Sequence, residues 1–175
     1  MSDLLEILLK RRSIRKYTGE AIPAEKLEEI INAGLLAESG RRICPWELIV
    51  VKDKDMLKKL SECREGAAKM LAGADAAIVV IADEEKTDVW IEDSSIVMAN
   101  MHLMADHLGV GSCWIQGRLR NTPDGELTEE YLRDLLGYPK NLRLEAILSL
   151  GMYDVHPEPH SLSELKIEKI HYEKY

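Results

Sequence analysis

Apolar residues recur along this chain with two distinct periods. Leu4, Leu5, Leu8 and Leu9 form one stripe, opened by Asp3 with Glu6 three residues later, and predict a first helix. Pro23 fits the first turn of a second helix, where Leu27, Ile30, Ile31 and Gly34 fall on one face. That helix fades near Glu38, and Gly34 marks a close approach. The charged turn 52–55 leads into a helix over 56–63, with a shorter helical piece at 65–71. The longest helix begins at Trp90, with Ile91, Ser94, Met98, Met101, Ala105 and Leu108 in steps of three and four. Ser95 and Ala99 lie on its flanking face, small enough for close packing, and Gly109 ends it. Thr128 is positioned to cap a last helix through Leu136, closed by Gly137 and Pro139.

Five segments read as strands. Residues 48–51 are a short apolar run, and 76–82 are apolar on both faces, as in a central strand. Residues 111–117 run between glycines, and 142–150 alternate strictly. Residues 165–172 alternate again, with a slip at Glu168 and Lys169. Far from any local partner, they are expected to add to a sheet edge in this subunit or another. Periodicity alone leaves the sheet parallel or mixed.

A length of 175 residues fits one domain, 1–175. No apolar run approaches membrane-spanning length, and the N-terminal leucines lack a basic flank, so a cytoplasmic location is expected. The formal net charge of −8 makes the run Lys10-Arg11-Arg12-Ser13-Ile14-Arg15-Lys16 a local exception. Its guanidinium groups, the Ser13 hydroxyl and backbone N–H groups can converge on one anion. The competing reading is simpler: basic residues at a helix C-terminus are favoured by the macrodipole alone. One short cluster in an acidic chain is a poor footprint for nucleic acid. Cys44, Cys63 and Cys113 are odd in number and form no CxxC, so reduced thiols are expected. His102 and His107, five apart, do not share a helix face and suggest no metal, while His102 and Asp106 have the spacing of a local hydrogen bond. No Gly-x-Gly-x-x-Gly and no phosphate-loop motif is present.

Four segments, in order, carry a family resemblance: Arg11-Arg12-Ser13-Ile14-Arg15, the loop from Ser39 to Pro45-Trp46, the stretch from Gly109 through Gln116-Gly117, and the tail His171-Tyr172-Glu173-Lys174-Tyr175. Together they resemble the nitroreductase family of flavin enzymes. The resemblance implies an α+β fold with a mixed, mainly antiparallel five-stranded sheet flanked by helices. It also implies a homodimer whose C-terminal strand crosses to the partner, with the long Met-rich helix at its centre.

The same resemblance implies FMN as cofactor. Arg11, Arg12, Ser13 and Arg15 would hold its phosphate, with His160 the one candidate in the region before the last strand. The backbone of Ile115, Gln116 and Gly117 would lie near the flavin ring. Ser39, Gly40, Arg41 and Arg42 would reach the cofactor, from the second subunit, with Arg41 or Arg42 near the ring edge. The implied activity is electron transfer from NAD(P)H to nitro compounds, quinones or a similar acceptor by a ping-pong route, with no catalytic side chain required. Arg42 and Cys44 stand where many members carry Asn and Gln, and this keeps a second reading in play: a flavin-binding protein of little turnover, an FMN carrier or redox sensor.

Overall fold

The computed structural model describes residues 2–175. Among them five α-helices form: α1 (Asp3–Lys10), α2 (Ala24–Leu35), α3 (Lys54–Leu60), α4 (Trp90–His107) and α5 (Thr128–Leu136). Four strands form one sheet: β1 (Trp46–Val51), β2 (Ala76–Asp83), β3 (Gly111–Gln116) and β4 (Leu142–Gly151). Their order is β1-β2-β4-β3, and every pairing is antiparallel. The architecture is the expected α+β one, an antiparallel sheet flanked by helices.

The central strands explain their own composition. β2 is buried at every position because helices cover both of its faces. Ile78 and Val80 of β2, with Ala146 and Leu148 of β4, pack under α2 and α4. Val79, Ile81, Leu144 and Ile147 point the other way, onto Leu57 and Leu60 of α3 and Leu132 of α5. α2 and α4 touch closely at Gly34, where a Cβ would lie 2.8 Å from Met101 Cγ. The glycine predicted to allow a close approach does so.

β3 is an edge strand of this chain's sheet. The segment after α1 runs beside it, with the Ile14 N–H donating to the Ser112 carbonyl at 2.9 Å. One register shift breaks the β2–β4 ladder: Val80 faces Ala146 and Ile81 faces Leu144, leaving Glu145 as an extra, bulged residue.

Several expectations need correction. The sheet has four strands among the described residues, because 165–172 do not form the fifth. They hold only a short 3-10 turn at Ile167–Lys169, and their apolar side chains face solvent. No edge of this chain's own sheet takes them, so the alternation has no ladder to register against. Residues 65–71 are not an α-helix, and a 3-10 turn forms later, at Lys69–Gly73. Thr128 does not cap α5. It is the first helical residue, fully buried, and its Oγ1 donates to the Cys63 carbonyl at 2.7 Å. No helix of the described residues is long and apolar enough to cross a membrane.

Candidate active site

α1 ends at Lys10, and the chain leaves it extended. In an extended segment neighbouring side chains alternate sides. Ile14 is buried, which turns Ser13 and Arg15 together to the opposite side. Arg11, Ser13 and Arg15 all act on the buried Cys113 thiol: burial pushes its pKa up, and Arg15, Ser13 and Arg11 pull it down. The three residues therefore converge beside β3. Arg12 departs from them, its Nη1 donating to the Glu158 carbonyl. His160 comes close to the basic run through its backbone, whose N–H donates to the Leu9 carbonyl at 2.9 Å. Its ring is exposed and pairs with Glu164 Oε2 at 3.1 Å.

A cleft of about 410 Å³ opens next to this cluster, lined by Leu8, Arg11, Ser13, Ala99, His102 and Trp114 among others. It has the size and the mixed lining of a small-molecule site: apolar walls with a few convergent polar groups. Trp114 leads along it toward the end of β3, its Nε1 donating to Gln116 Oε1 at 3.0 Å. Ile115 is buried below.

At that end the backbone is tightly arranged. The Gly117 and Arg118 N–H groups both donate to the Glu145 carbonyl, at 3.3 and 3.0 Å. The bulge at Glu145 is what aims this carbonyl at both. Gly117 is required by packing alone, since a Cβ there would sit 2.5 Å from Leu144 Cδ2. The Glu145 side chain is 3 % exposed, and its Oε2 has no hydrogen-bond partner. Its Oε1 meets Ser95 Oγ at 3.5 Å. Burial raises the carboxyl pKa, against the pull of Arg118.

The wall opposite β3 belongs to α4. Ser95, Ala99 and His102 recur at i, i+4 and i+7, so they share one face. His102 Nδ1 lies 2.6 Å from Ser112 Oγ, and its Nε2 lies 2.8 Å from Arg11 Nη1. The expected His102–Asp106 hydrogen bond does not form, because the ring is committed to Ser112 and Arg11. Asp106 instead takes His156 Nε2 at 3.0 Å.

The Ser39–Arg42 loop is held elsewhere in this chain. Ser39 Oγ accepts from the Cys44 N–H at 2.9 Å, and the Gly40 N–H donates to Asp93 Oδ1 at 3.0 Å. Asp93 and His102 are nine residues apart on α4, which is about 14 Å along the axis and on opposite faces. One chain thus does not bring 39–42 to its own cleft. Arg41, Arg42 and Cys44 have φ of 55°, 59° and 48°, the left-handed region that side chains rarely adopt, and both arginines are exposed.

His102, Ala99, Trp114 and Glu145 were not singled out from the sequence as site residues. The usable signal was the second α4 face, on which Ser95 and Ala99 stood out as small while His102, one turn further, read as an ordinary helix histidine.

Comparison with known proteins identifies the family. Residues 8–64 and 56–152 match the family model described as "Nitroreductase family". An FMN-dependent nitroreductase from Clostridium difficile R20291 has a TM-score of 0.95 and 44 % identity, covering 98 % of this chain and 99 % of that one. An Archaeoglobus fulgidus protein named "Putative NADH dehydrogenase/NAD(P)H nitroreductase" is 40 % identical over 155 residues, 86 % of each chain. The NADPH:FMN oxidoreductase of Vibrio harveyi, complexed with NAD+, has a TM-score of 0.83 at 26 % identity, covering 99 % of this chain and 78 % of that one. With the family model running from residue 8 to 152 and near-full-length relatives at 40 % identity and above, this chain belongs to the nitroreductase family and is an oxidoreductase of that family.

Proposed function

We propose that residues 1–175 form one FMN-binding domain that works as a homodimer in the cytoplasm. It moves electrons from NAD(P)H to a small acceptor such as a nitro compound or a quinone, by a ping-pong route. The observation that carries this reading is the cleft lined by Arg11 and Ser13 at one end and walled by Ala99 and Trp114, with Arg15 nearby beside Cys113. Its donors fit a phosphate at one end, and its apolar walls fit a planar ring along its length. The names of the relatives support the cofactor and the reductant.

When bound, FMN supplies the electron-carrying chemistry: it takes a hydride equivalent and passes electrons on. The chain supplies binding and environment. Arg11 and Arg15 offer charge-assisted N–H donors to phosphate oxygens, and the Ser13 hydroxyl adds a neutral donor. Ile115, Gln116 and Gly117 shape the ring end of the cleft, with Glu145 holding their backbone in place. His160 and Arg12 brace the phosphate end from the 158–160 strap. Residues Ser39, Gly40, Arg41 and Arg42 complete the site from the partner subunit, a role consistent with their distance from this chain's own cleft.

Steady-state oxidation of NADH and NADPH, each with a quinone and with a nitroaromatic, tests the activity. Turnover with parallel double-reciprocal lines is expected. Flavin-loaded protein that oxidises neither nucleotide is instead an FMN carrier or redox sensor.

A further inference from the structure

We propose that His102 is the positioning residue for Arg11. Anchored on Ser112, its ring accepts from the guanidinium and fixes Arg11 to donate its remaining N–H groups to a phosphate. The inference rests on the reading of Arg11, Ser13 and Arg15 as a phosphate site.

The argument starts from donor counting. A guanidinium has only donors. The 2.8 Å contact of Arg11 Nη1 with His102 Nε2 therefore requires that Nε2 carry a lone pair and no proton. The ring proton then sits on Nδ1 and donates to Ser112 Oγ at 2.6 Å. One tautomer satisfies both contacts, and α4 and β3 hold it between them. His102 is 7 % exposed, so neither contact is traded freely for water. Arg11 uses one N–H on the ring and keeps its others for a phosphate. A long, flexible side chain at a helix end is thereby preorganised.

The charged groups facing the ring are few. Arg11 approaches from the end of α1, and Asp106 lies one turn on in α4. Asp106 is itself paired with His156 of the 152–160 strap. Burial lowers the His102 pKa most, Arg11 lowers it further and Asp106 opposes them, bringing it to about 4. The ring is thus neutral at physiological pH. Protonation at Nε2 would set an N–H and a positive charge against Arg11, and would turn the guanidinium away.

The test is fluorescence titration of the flavin-free, full-length protein with FMN and with riboflavin, which lacks the phosphate. Wild type is compared with His102→Leu and His102→Gln. Wild type is expected to prefer FMN. His102→Leu should lose about tenfold in FMN affinity, as for one hydrogen bond to a charged group, with riboflavin affinity unchanged. Unchanged riboflavin binding also reports that the variant is folded. His102→Gln should restore FMN binding, because its amide oxygen can accept from Arg11 while its NH2 donates to Ser112. As pH falls toward about 4, FMN affinity of wild type should drop below that of His102→Gln, which has no proton to take up. Retention of the wild-type FMN preference in His102→Leu would overturn the proposal. A wild type that binds FMN and riboflavin equally fails differently: it removes the phosphate site itself.

Discussion

Single residues set the two ends of the cleft. Beside the proposed phosphate end, Arg15 is exposed and free of the ring contact that holds Arg11. Arg15→Ala should weaken FMN binding by about 1.5–3 kcal/mol, the range for a hydrogen bond to a charged group, which is roughly tenfold or more. Equal FMN affinity in wild type and Arg15→Ala, measured by titration, would contradict its placement. At the proposed ring end, the Glu145 carboxyl is buried and holds its proton more tightly than the unfolded chain does. Below the ordinary carboxyl value of 4.5 both states are protonated and no penalty arises. As pH rises through that value the unfolded chain releases its proton first, so stability is lost. Glu145→Gln should therefore melt with wild type at pH values below 4.5 and above it at neutral pH; thermal melts across that range check the difference. The basic run suggests an anion site from sequence because Arg11, Arg12, Ser13 and Arg15 lie close together in it. His102 and Glu145 give no such signal, because their partners Ser112, Arg11, Ser95 and Gly117 arrive only through tertiary packing. The same holds for Arg41, Arg42 and Cys44. Their left-handed backbone lies in a loop tied down by Gly40 on Asp93 and by Cys44 on Ser39, and residue types alone do not announce it.

Among the elements, α4 is the organising one. One side receives Gly40 at Asp93 and Gly34 at Met101, while the other carries Ser95 to Glu145 and His102 to Ser112. The helix was clear from its three-four periodicity, and so was the apolar stripe against α2. Gly34→Ala should destabilise the fold by about 1–3 kcal/mol through overpacking, since Met101 is fully buried and cannot move aside freely. Chemical denaturation checks this, and a neutral substitution would show that α2 and α4 have slack at their contact. The strands were legible wherever a full face was apolar, as in β2, or alternated, as in β4. The bulge was not, because 142–150 alternate without a break in sequence, while the extra residue Glu145 puts Leu142 and Leu144 on the face opposite Ala146, Leu148 and Leu150. Residues 165–172 alternate like a strand but form none within this chain, because alternation specifies a face and cannot supply an edge to pair with.

At the scale of the whole molecule, the single chain leaves apolar surface uncovered. In the tail, Leu165, Ile167, Ile170 and Tyr172 are 53 %, 71 %, 56 % and 83 % exposed. Leu4 and Leu36 are exposed around the groove between α1, α2 and α4. So many apolar groups in solvent fit the proposed dimer, in which tail and groove are covered by a second copy and the 39–42 loop reaches the partner's cleft. The family fold was legible from ordered motifs because each marks backbone geometry around a shared site. The acceptor was not, because acceptor choice depends on the shape of a pocket that, in the proposed dimer, two chains build. Native mass spectrometry of the freshly purified protein, with the released flavin identified, tests the central claim most directly. The predicted result is a dimer carrying two FMN molecules. Bare chains that also fail to take up added FMN would contradict it.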